Sequence, residues 1–320
     1  MKKLFLLFVL LSSCSPLPDL PQERTSGSSE TGDNSGKTDA ILRIVALDVG
    51  QGDATLLISL SGKTVLIDAG PLGSGKNRII PYLEEAGIGK IDLLFVSHYD
   101  GDHIGGLFDL LPGRDGTLGT DDDWVPTDGI WDRGNNSAED KAFYAGYRSL
   151  TGPWRREIPP GQQWPLGEMT ISTPLINGKY EDGLSLTLPQ EDENGRSAVL
   201  LIEFGNFRYL TTGDLTGGGP SGITETTDLE TRLGELVGDI DLLHLGHHGS
   251  QTSTHENFLK TLKPEAVIIS VGKENDYGHP HPAVLKRLEE RGIPAYRTDQ
   301  MGTIEIDVNE KGYSITGENE

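Results

Sequence analysis

Cysteine is nearly missing from this chain. Of 320 residues only Cys14 carries a thiol, so no internal disulfide can form. Cationic residues are also scarce: 27 Lys and Arg face 49 Asp and Glu, a formal net charge of −22. Such a chain is poorly suited to binding a phosphate backbone non-specifically, because that binding draws on clustered Lys and Arg. A nucleic-acid substrate then needs metal ions or a local basic patch to hold its phosphate. Long apolar runs are lacking too. The run Leu4 to Leu11 is too short to span a bilayer, and nothing later is long and apolar enough. Histidine is absent between His103 and His244. Calcium-loop spacing is absent as well. The acidic runs Asp121–Asp123 and Glu191–Glu193 lack alternating ligands and read as solvated surface.

What remains is ample for a large core, with 35% hydrophobic and 24% charged residues, the balance of an ordinary soluble globular protein. At the N-terminus, Lys2 and Lys3 precede the short apolar run, and Leu11-Ser12-Ser13-Cys14 follows it. This is the plan of a secretory signal peptide. It resembles a bacterial lipoprotein signal over residues 1–14, ending in a lipobox. The resemblance implies cleavage before Cys14, lipidation of its sulfur, export, and anchorage to the cell envelope facing away from the cytoplasm. Membrane contact is then through the lipid only. An ordinary signal peptide with an incidental cysteine, or a retained anchor, are the other readings. Residues 15–39, rich in Pro, Ser, Gly and charge, read as a flexible tether. The folded domain is expected over 40–316.

Within it, strands are expected at Ile41–Leu47, Ala54–Leu60 and Thr64–Ile67, the first two joined by the glycine-dependent turn Asp48-Val49-Gly50-Gln51-Gly52-Asp53. A helix follows at Asn77–Ala86, stopped by Gly87. Residues 112–165 hold all four tryptophans and many Gly and Pro. They read as an insertion covering one side of a site, with a helix at Glu139–Leu150. Further strands are expected at Met169–Ser172, Ala198–Phe204, Phe207–Thr211, Ile240–Leu245 and Ala266–Val271, with closing strands near Ile293 and Ile304. Helices fall at Thr226–Leu236, Glu256–Leu262 and Pro282–Arg291. Periodicity alone supports mixed α and β.

The chain is organised around one stretch. The apolar run Ile91–Val96 reads as a buried strand. It ends in Ser97-His98-Tyr99-Asp100-Gly101-Asp102-His103, followed by glycines at which a helix can start. A strand end delivers side chains to one rim of a sheet. His-x-Asp-x-Asp-His there gathers the mixed donors a divalent metal wants. The arrangement resembles the metallo-β-lactamase superfamily, whose signature is His-x-His-x-Asp-His. Asp100 stands where the second His usually is. With Leu47-Asp48-Val49-Gly50-Gln51-Gly52-Asp53-Ala54, that variant resembles the hydrolase-like domain of the ComEC DNA-uptake proteins and their stand-alone relatives. The resemblance covers roughly residues 40 to 315 and implies an α+β fold, the four-layer αββα sandwich.

Further clusters are read beside it. The resemblance implies that Asp68, and with it Asp48, orients a ligand rather than binding metal. The resemblance makes Asp214 a bridge between two metals. In His244-Leu245-Gly246-His247-His248 the adjacent histidines point differently, so at most one binds. His247 matches the family ligand, and His248 supports a ligand or protonates a leaving group. His244 reads as a packing residue and His255 as solvent-exposed. In Asn275-Asp276-Tyr277-Gly278-His279-Pro280-His281, His279 is a substrate contact or late ligand and His281 is local structure. The expected metal ligands are thus His98, Asp100, Asp102, His103, Asp214 and His247, with Asp102, His248 and His279 in catalysis. The first metal position keeps only His98, Asp100 and Asp214, and the second takes Asp102, His103, Asp214 and His247. Oxygen ligands in place of nitrogen raise Mn²⁺ relative to Zn²⁺. The implied activity is that of a hydrolase with one or two divalent ions, using metal-activated water on a small or single-stranded phosphodiester. Hydrolysis of a lactam, lactone or thioester, or a non-catalytic surface lipoprotein, are the alternatives. The sequence points to no specific protein partner.

Overall fold

The computed structural model describes residues 41–134, 143–218 and 226–319. The expected signal peptide with Cys14, the tether, and the start of the expected helix at Glu139 lie outside the described residues.

The chain enters as an antiparallel meander of β1 (Leu42–Ala46), β2 (Thr55–Ser59) and β3 (Thr64–Ile67). A turn of wide helix at Gly75–Ile79 leads into α1 (Ile80–Glu85), and β4 (Leu93–Phe95) returns parallel to β3. Two single-turn helices follow, α2 (Gly101–Ile104) and α3 (Leu107–Leu110). Then come β5 (Ile130–Asp132), α4 (Tyr144–Thr151) and β6 (Arg155–Glu157), both strands parallel to β4. The second sheet starts with β7 (Gln163–Leu166) and β8 (Met169–Ile176), with the short β9 (Lys179–Tyr180) on the latter. It continues through β10 (Val199–Phe204) and β11 (Phe207–Thr211). From there the pairing turns parallel: α5 (Glu230–Val237), β12 (Leu242–His244), α6 (Glu256–Leu262), β13 (Ala266–Ile269), α7 (Pro282–Arg291) and β14 (Ala295–Arg297). After α8 (Thr298–Met301), the hairpin of β15 (Ile304–Asn309) and β16 (Gly312–Gly317) crosses back to pair with β1. The sheet orders are β16-β15-β1-β2-β3-β4-β5-β6 and β14-β13-β12-β11-β10-β8-β7.

The strand sequences explain the layers. In β1, Leu42, Ile44 and Ala46 face the other sheet while Val45 faces the helices. In β13, Ala266 and Ile268 face inward and Val267 and Ile269 outward. Strands covered on both faces need apolar residues at every position, not alternate ones. One core lies between the sheets, a second under α1 to α4, and a third under α5 to α7. This is the expected four-layer αββα sandwich. Each fully buried Leu, Ile or Phe contributes roughly 1.5–3 kcal/mol.

Three expectations need correction. The described residues of the expected insertion over 112–165 are woven into the sandwich: β5 and β6 extend the first sheet and β7 opens the second. Trp131 and Trp164 lock this junction, packing edge-on to each other, while Trp164 packs edge-on to Phe95. Glu193 is not solvated but 2% exposed, its carboxylate held by the buried guanidinium of Arg133. Two helices are also shorter than expected, α5 starting at Glu230 and α4 at Tyr144, while α6 and α7 have the expected bounds.

Candidate metal centre

Parallel strands align their carboxyl ends, and the chain leaves its polar clusters there. Asp68 follows β3, His98 follows β4, Asp214 follows β11, and His247 and His248 follow β12. Asp53, at the entry to β2, joins from the opposite turn.

Asp214 is the hinge of the geometry. Its Oδ1 lies 3.2 Å from His103 Nε2 and 3.7 Å from His248 Nε2. Its Oδ2 lies 3.8 Å from His98 Nε2 and 3.6 Å from His247 Nε2. Each carboxylate oxygen therefore faces its own pair of imidazoles. On the first side, Asp102 Oδ2 is 3.3 Å from His248 Nε2. On the second, Asp100 Oδ2 is 3.6 Å from His98 Nε2. Ligand atoms at ~2.1 Å from a shared tetrahedral ion are ~3.4 Å apart, so these spacings suit common cations. The sets His98–His103–Asp214, Asp102–His103–His248 and Asp53–Asp214–His248 each bring ligand atoms within 4.8 Å of one another.

The donors are also short of partners. Asp53 Oδ1, His98 Nε2, His103 Nε2, Asp214 Oδ1 and His248 Nε2 are buried without a hydrogen bond. An orphaned buried polar group costs about 1–3 kcal/mol. Five converging on one cleft fit a role as cation ligands, so these residues suit a divalent metal.

Behind them, other groups fix the rings. Asp68 Oδ2 accepts from His103 Nδ1 at 2.8 Å and from Ser97 Oγ at 2.6 Å, while Oδ1 accepts from Ser97 N at 2.8 Å. His103 Nε2 is thereby turned to the cleft. His248 Nδ1 sits 2.9 Å from the Ser270 carbonyl, which aims its Nε2 the same way. Gly52, at φ +148°, is where backbones meet: a Cβ there would lie 2.3 Å from the Asp102 carbonyl oxygen. Only glycine lets the first turn approach closely enough to bring Asp53 in.

Several assignments change. His248, not His247, stands with Asp102 and His103; His247 faces the opposite oxygen of Asp214, the side where the sequence left a gap. Both adjacent histidines converge because both adopt left-handed backbone, φ 52° and 54°. Asp48 does not hold a ligand: its Oδ1 accepts from Gly50 N at 3.1 Å within the turn. Asp53, read only as part of a turn, is the carboxylate at the site. It is 6% exposed, 3.5 Å from His244 Nε2 and 3.8 Å from His248 Nδ1. His244 is buried and bonded to Tyr209 Oη and Ser270 Oγ. His255 is half-buried rather than exposed. His281 caps α7, accepting from Ala283 N at 3.2 Å.

Burial opposes charge on every one of these groups, yet the set sustains its own ions. Burial would raise the Asp214 carboxyl, but His247, His103 and His248 hold it well below its ordinary value. Burial would lower His103, but Asp214 and Asp68 carry it well above its own. Against the same penalty, the nearby carboxylates of Asp214, Asp53 and Asp102 push His248 up to about 9. His279 goes the other way, down to about 4, through burial and its neighbours His247 and His248. To hold a metal ion in the cleft, His103 and His248 would have to give up those protons. A cleft of about 340 Å³ opens above them, lined by Asp100, Asp102, Asn194, His279 and the rings of Tyr99, Phe143 and Tyr277.

The Metallo-beta-lactamase superfamily model matches residues 47–273. Competence protein ComA of Neisseria gonorrhoeae is 30% identical over 272 residues, covering 84% of this chain and 33% of that protein. ComE operon protein 3 of Bacillus subtilis (strain 168) is 30% identical over 275 residues, 81% of this chain and 32% of that protein. The chain spans about a third of the length of these curated relatives. Among solved structures, CmlA, a diiron beta-hydroxylase from Streptomyces venezuelae, aligns with a TM-score of 0.52 at 16% identity. That alignment covers 85% of this chain and 55% of CmlA, a likeness of fold.

Proposed function

The chain belongs to the metallo-β-lactamase superfamily, generally a family of metallo-hydrolases, and from that premise we propose that it hydrolyses phosphodiesters with one or two divalent ions. The observation that carries this reading is Asp214, whose two oxygens face separate imidazole pairs. Two cations astride one carboxylate suit in-line displacement at phosphorus. The name of the relative ComA, a competence protein, supports a nucleic-acid bond over a lactam.

On this reading His103, His248, Asp102 and Asp53 would hold one ion together with Asp214, and His98, His247 and Asp100 would hold the other. The oxygen-rich set favours Mn²⁺, although Zn²⁺ also fits the imidazoles. Bound metal lowers the pKa of water from ~16 towards ~7 and neutralises charge growing on the phosphoryl oxygens. The side chains do the rest. Asp102, its side chain 30% exposed, accepts a hydrogen bond from the entering water and steers it. Asp68 keeps His103 in one tautomer. His279, neutral near pH 7 because its value sits at about 4, offers a ring N–H to a phosphate oxygen rather than a full proton. The substrate is a small or single-stranded phosphodiester. The domain is exported and lipid-anchored through Cys14, so Cys14→Ala should release it from the membrane fraction.

The test sets bis-p-nitrophenyl phosphate beside nitrocefin, with Mn²⁺ or Zn²⁺ added. Diester cleavage that disappears in Asp214→Ala is expected. An intact diester with both metals, alongside cleavage of the lactam, overturns the reading.

A further inference from the structure

The proposed metal chemistry accounts for the floor of the cleft but not its mouth. Among the described residues, Tyr277 is the one aromatic in the set of strongly exposed large apolar side chains, at 70%. It is not on a loose loop. The Asn275 amide donates to the Gly272 and His279 carbonyls at 2.9 and 2.7 Å, and its oxygen accepts from His279 N at 3.0 Å. Gly272 N in turn donates to Gln51 Oε1 at 3.2 Å. One side of the phenol ring stacks on His279, with centroids 5.7 Å apart and planes 23° apart. His279 itself lies 5.4 Å from the His247 ring. A single imidazole thus separates the exposed phenol from a residue facing Asp214. Phe143 closes the other wall, its ring lying over Gly101, where a Cβ would come 2.6 Å from Phe143 Cε2. No Lys or Arg lines this cleft among the described residues.

We propose that Tyr277 is a stacking platform for a nucleobase. The substrate is then a nucleotide or single-stranded nucleic acid whose base lies against the phenol while its phosphodiester reaches Asp214. This rests on the phosphodiester reading and names the substrate class for it. A wall without Lys or Arg on a chain of charge −22 leaves the metal ions as the phosphate's only cationic partners and gives the rest of the substrate no such contact. An aromatic face supplies affinity there instead, because every base presents a π-face. Duplex DNA keeps its bases stacked internally and gains nothing from the ring.

Two measurements test this with the full chain in excess Mn²⁺. In calorimetry, thymidine 5′-monophosphate should bind about five- to a hundredfold more tightly than methyl phosphate. Tyr277→Phe should keep that ratio and Tyr277→Leu, which still covers His279, should lose it. Equal binding of the two ligands, or a ratio that survives Tyr277→Leu, overturns the proposal. In turnover, thymidine 5′-p-nitrophenyl phosphate should show a lower KM than methyl p-nitrophenyl phosphate, and Tyr277→Leu should raise that KM while leaving kcat. Equal KM values overturn the stacking platform alone. If neither diester is cleaved, the hydrolase reading falls while the binding ratio still decides the role of Tyr277.

Discussion

Glu193 Oε1 accepts the backbone N–H of Tyr99 at 2.9 Å, joining residues 94 positions apart. The same carboxylate takes two bonds from the buried guanidinium of Arg133, whose Cζ lies 4.3 Å from the centre of the Tyr99 ring. His98 and Asp100 flank Tyr99, and Asn194, which follows Glu193, lines the cleft. Breaking a buried charge pair from one side costs about 3–5 kcal/mol. Glu193→Ala should therefore lose about that much in urea unfolding. Metal affinity should fall with it, because the loop carrying His98 loses its tie.

Gly52→Ala probes the approach of two backbones. Its Cβ would also lie 2.8 Å from Pro71 Cδ, so the turn must withdraw. The bond from Asp53 N to the Asp102 carbonyl, 3.2 Å, then breaks. Asp53 then leaves the cleft, and the backbone at Asp102 loses its tie. Equilibrium dialysis should show metal affinity falling at least about tenfold, and thermal unfolding should show a loss of about 1–3 kcal/mol.

Asp68→Asn isolates orientation from charge at the ion. The amide cannot accept from both Ser97 N and Ser97 Oγ while also holding His103 Nδ1. Groups that orient a ligand are worth about 10–100-fold in metal affinity. Chelator competition should report a drop in that range, with the far-ultraviolet spectrum unchanged.

Metal removal and pH are coupled through His248. Its folded value of about 9 stands above the ordinary 6.5. The stability this contributes to the metal-free chain is complete below pH 6.5 and is lost as pH rises through about 9. Metal uptake runs the other way, since the ion replaces that proton and binds more tightly as pH rises. Melting curves at pH 6, 7.5 and 9, with chelator or with Mn²⁺, should show the chelated form weakening. The gap between the two forms should widen. A metal-free melting point that rises across this range would contradict the geometry around His248.

The layers were legible because doubly covered strands leave uninterrupted apolar runs, as in Thr64–Ile67 and Ala266–Ile269. The polar clusters were legible because each follows such a run directly. Sequence could not assign His247 and His248 to their sides: adjacent residues diverge in ordinary backbone, and the left-handed pair at φ 52° and 54° has no compositional sign. Asp53 and Asp48 end the same glycine turn, and only the approach at Gly52 selects Asp53. An acidic run such as Glu191–Glu193 reads as surface because its buried partner, Arg133, is 60 residues away in sequence. β5 and β6 were missed because Ile130–Asp132 and Arg155–Glu157 are three residues each and carry no clear period.

The convergence of Asp53, Asp100, Asp102 and Asp214 on one cleft reaches beyond catalysis. Without a cation, protons on neighbouring rings restrain their mutual repulsion, and that restraint weakens in mild alkali. Any ion that binds the native cleft and not the unraveled chain shifts the balance by mass action. The surviving quantity of this polypeptide therefore becomes a gauge of how much divalent metal its surroundings supply.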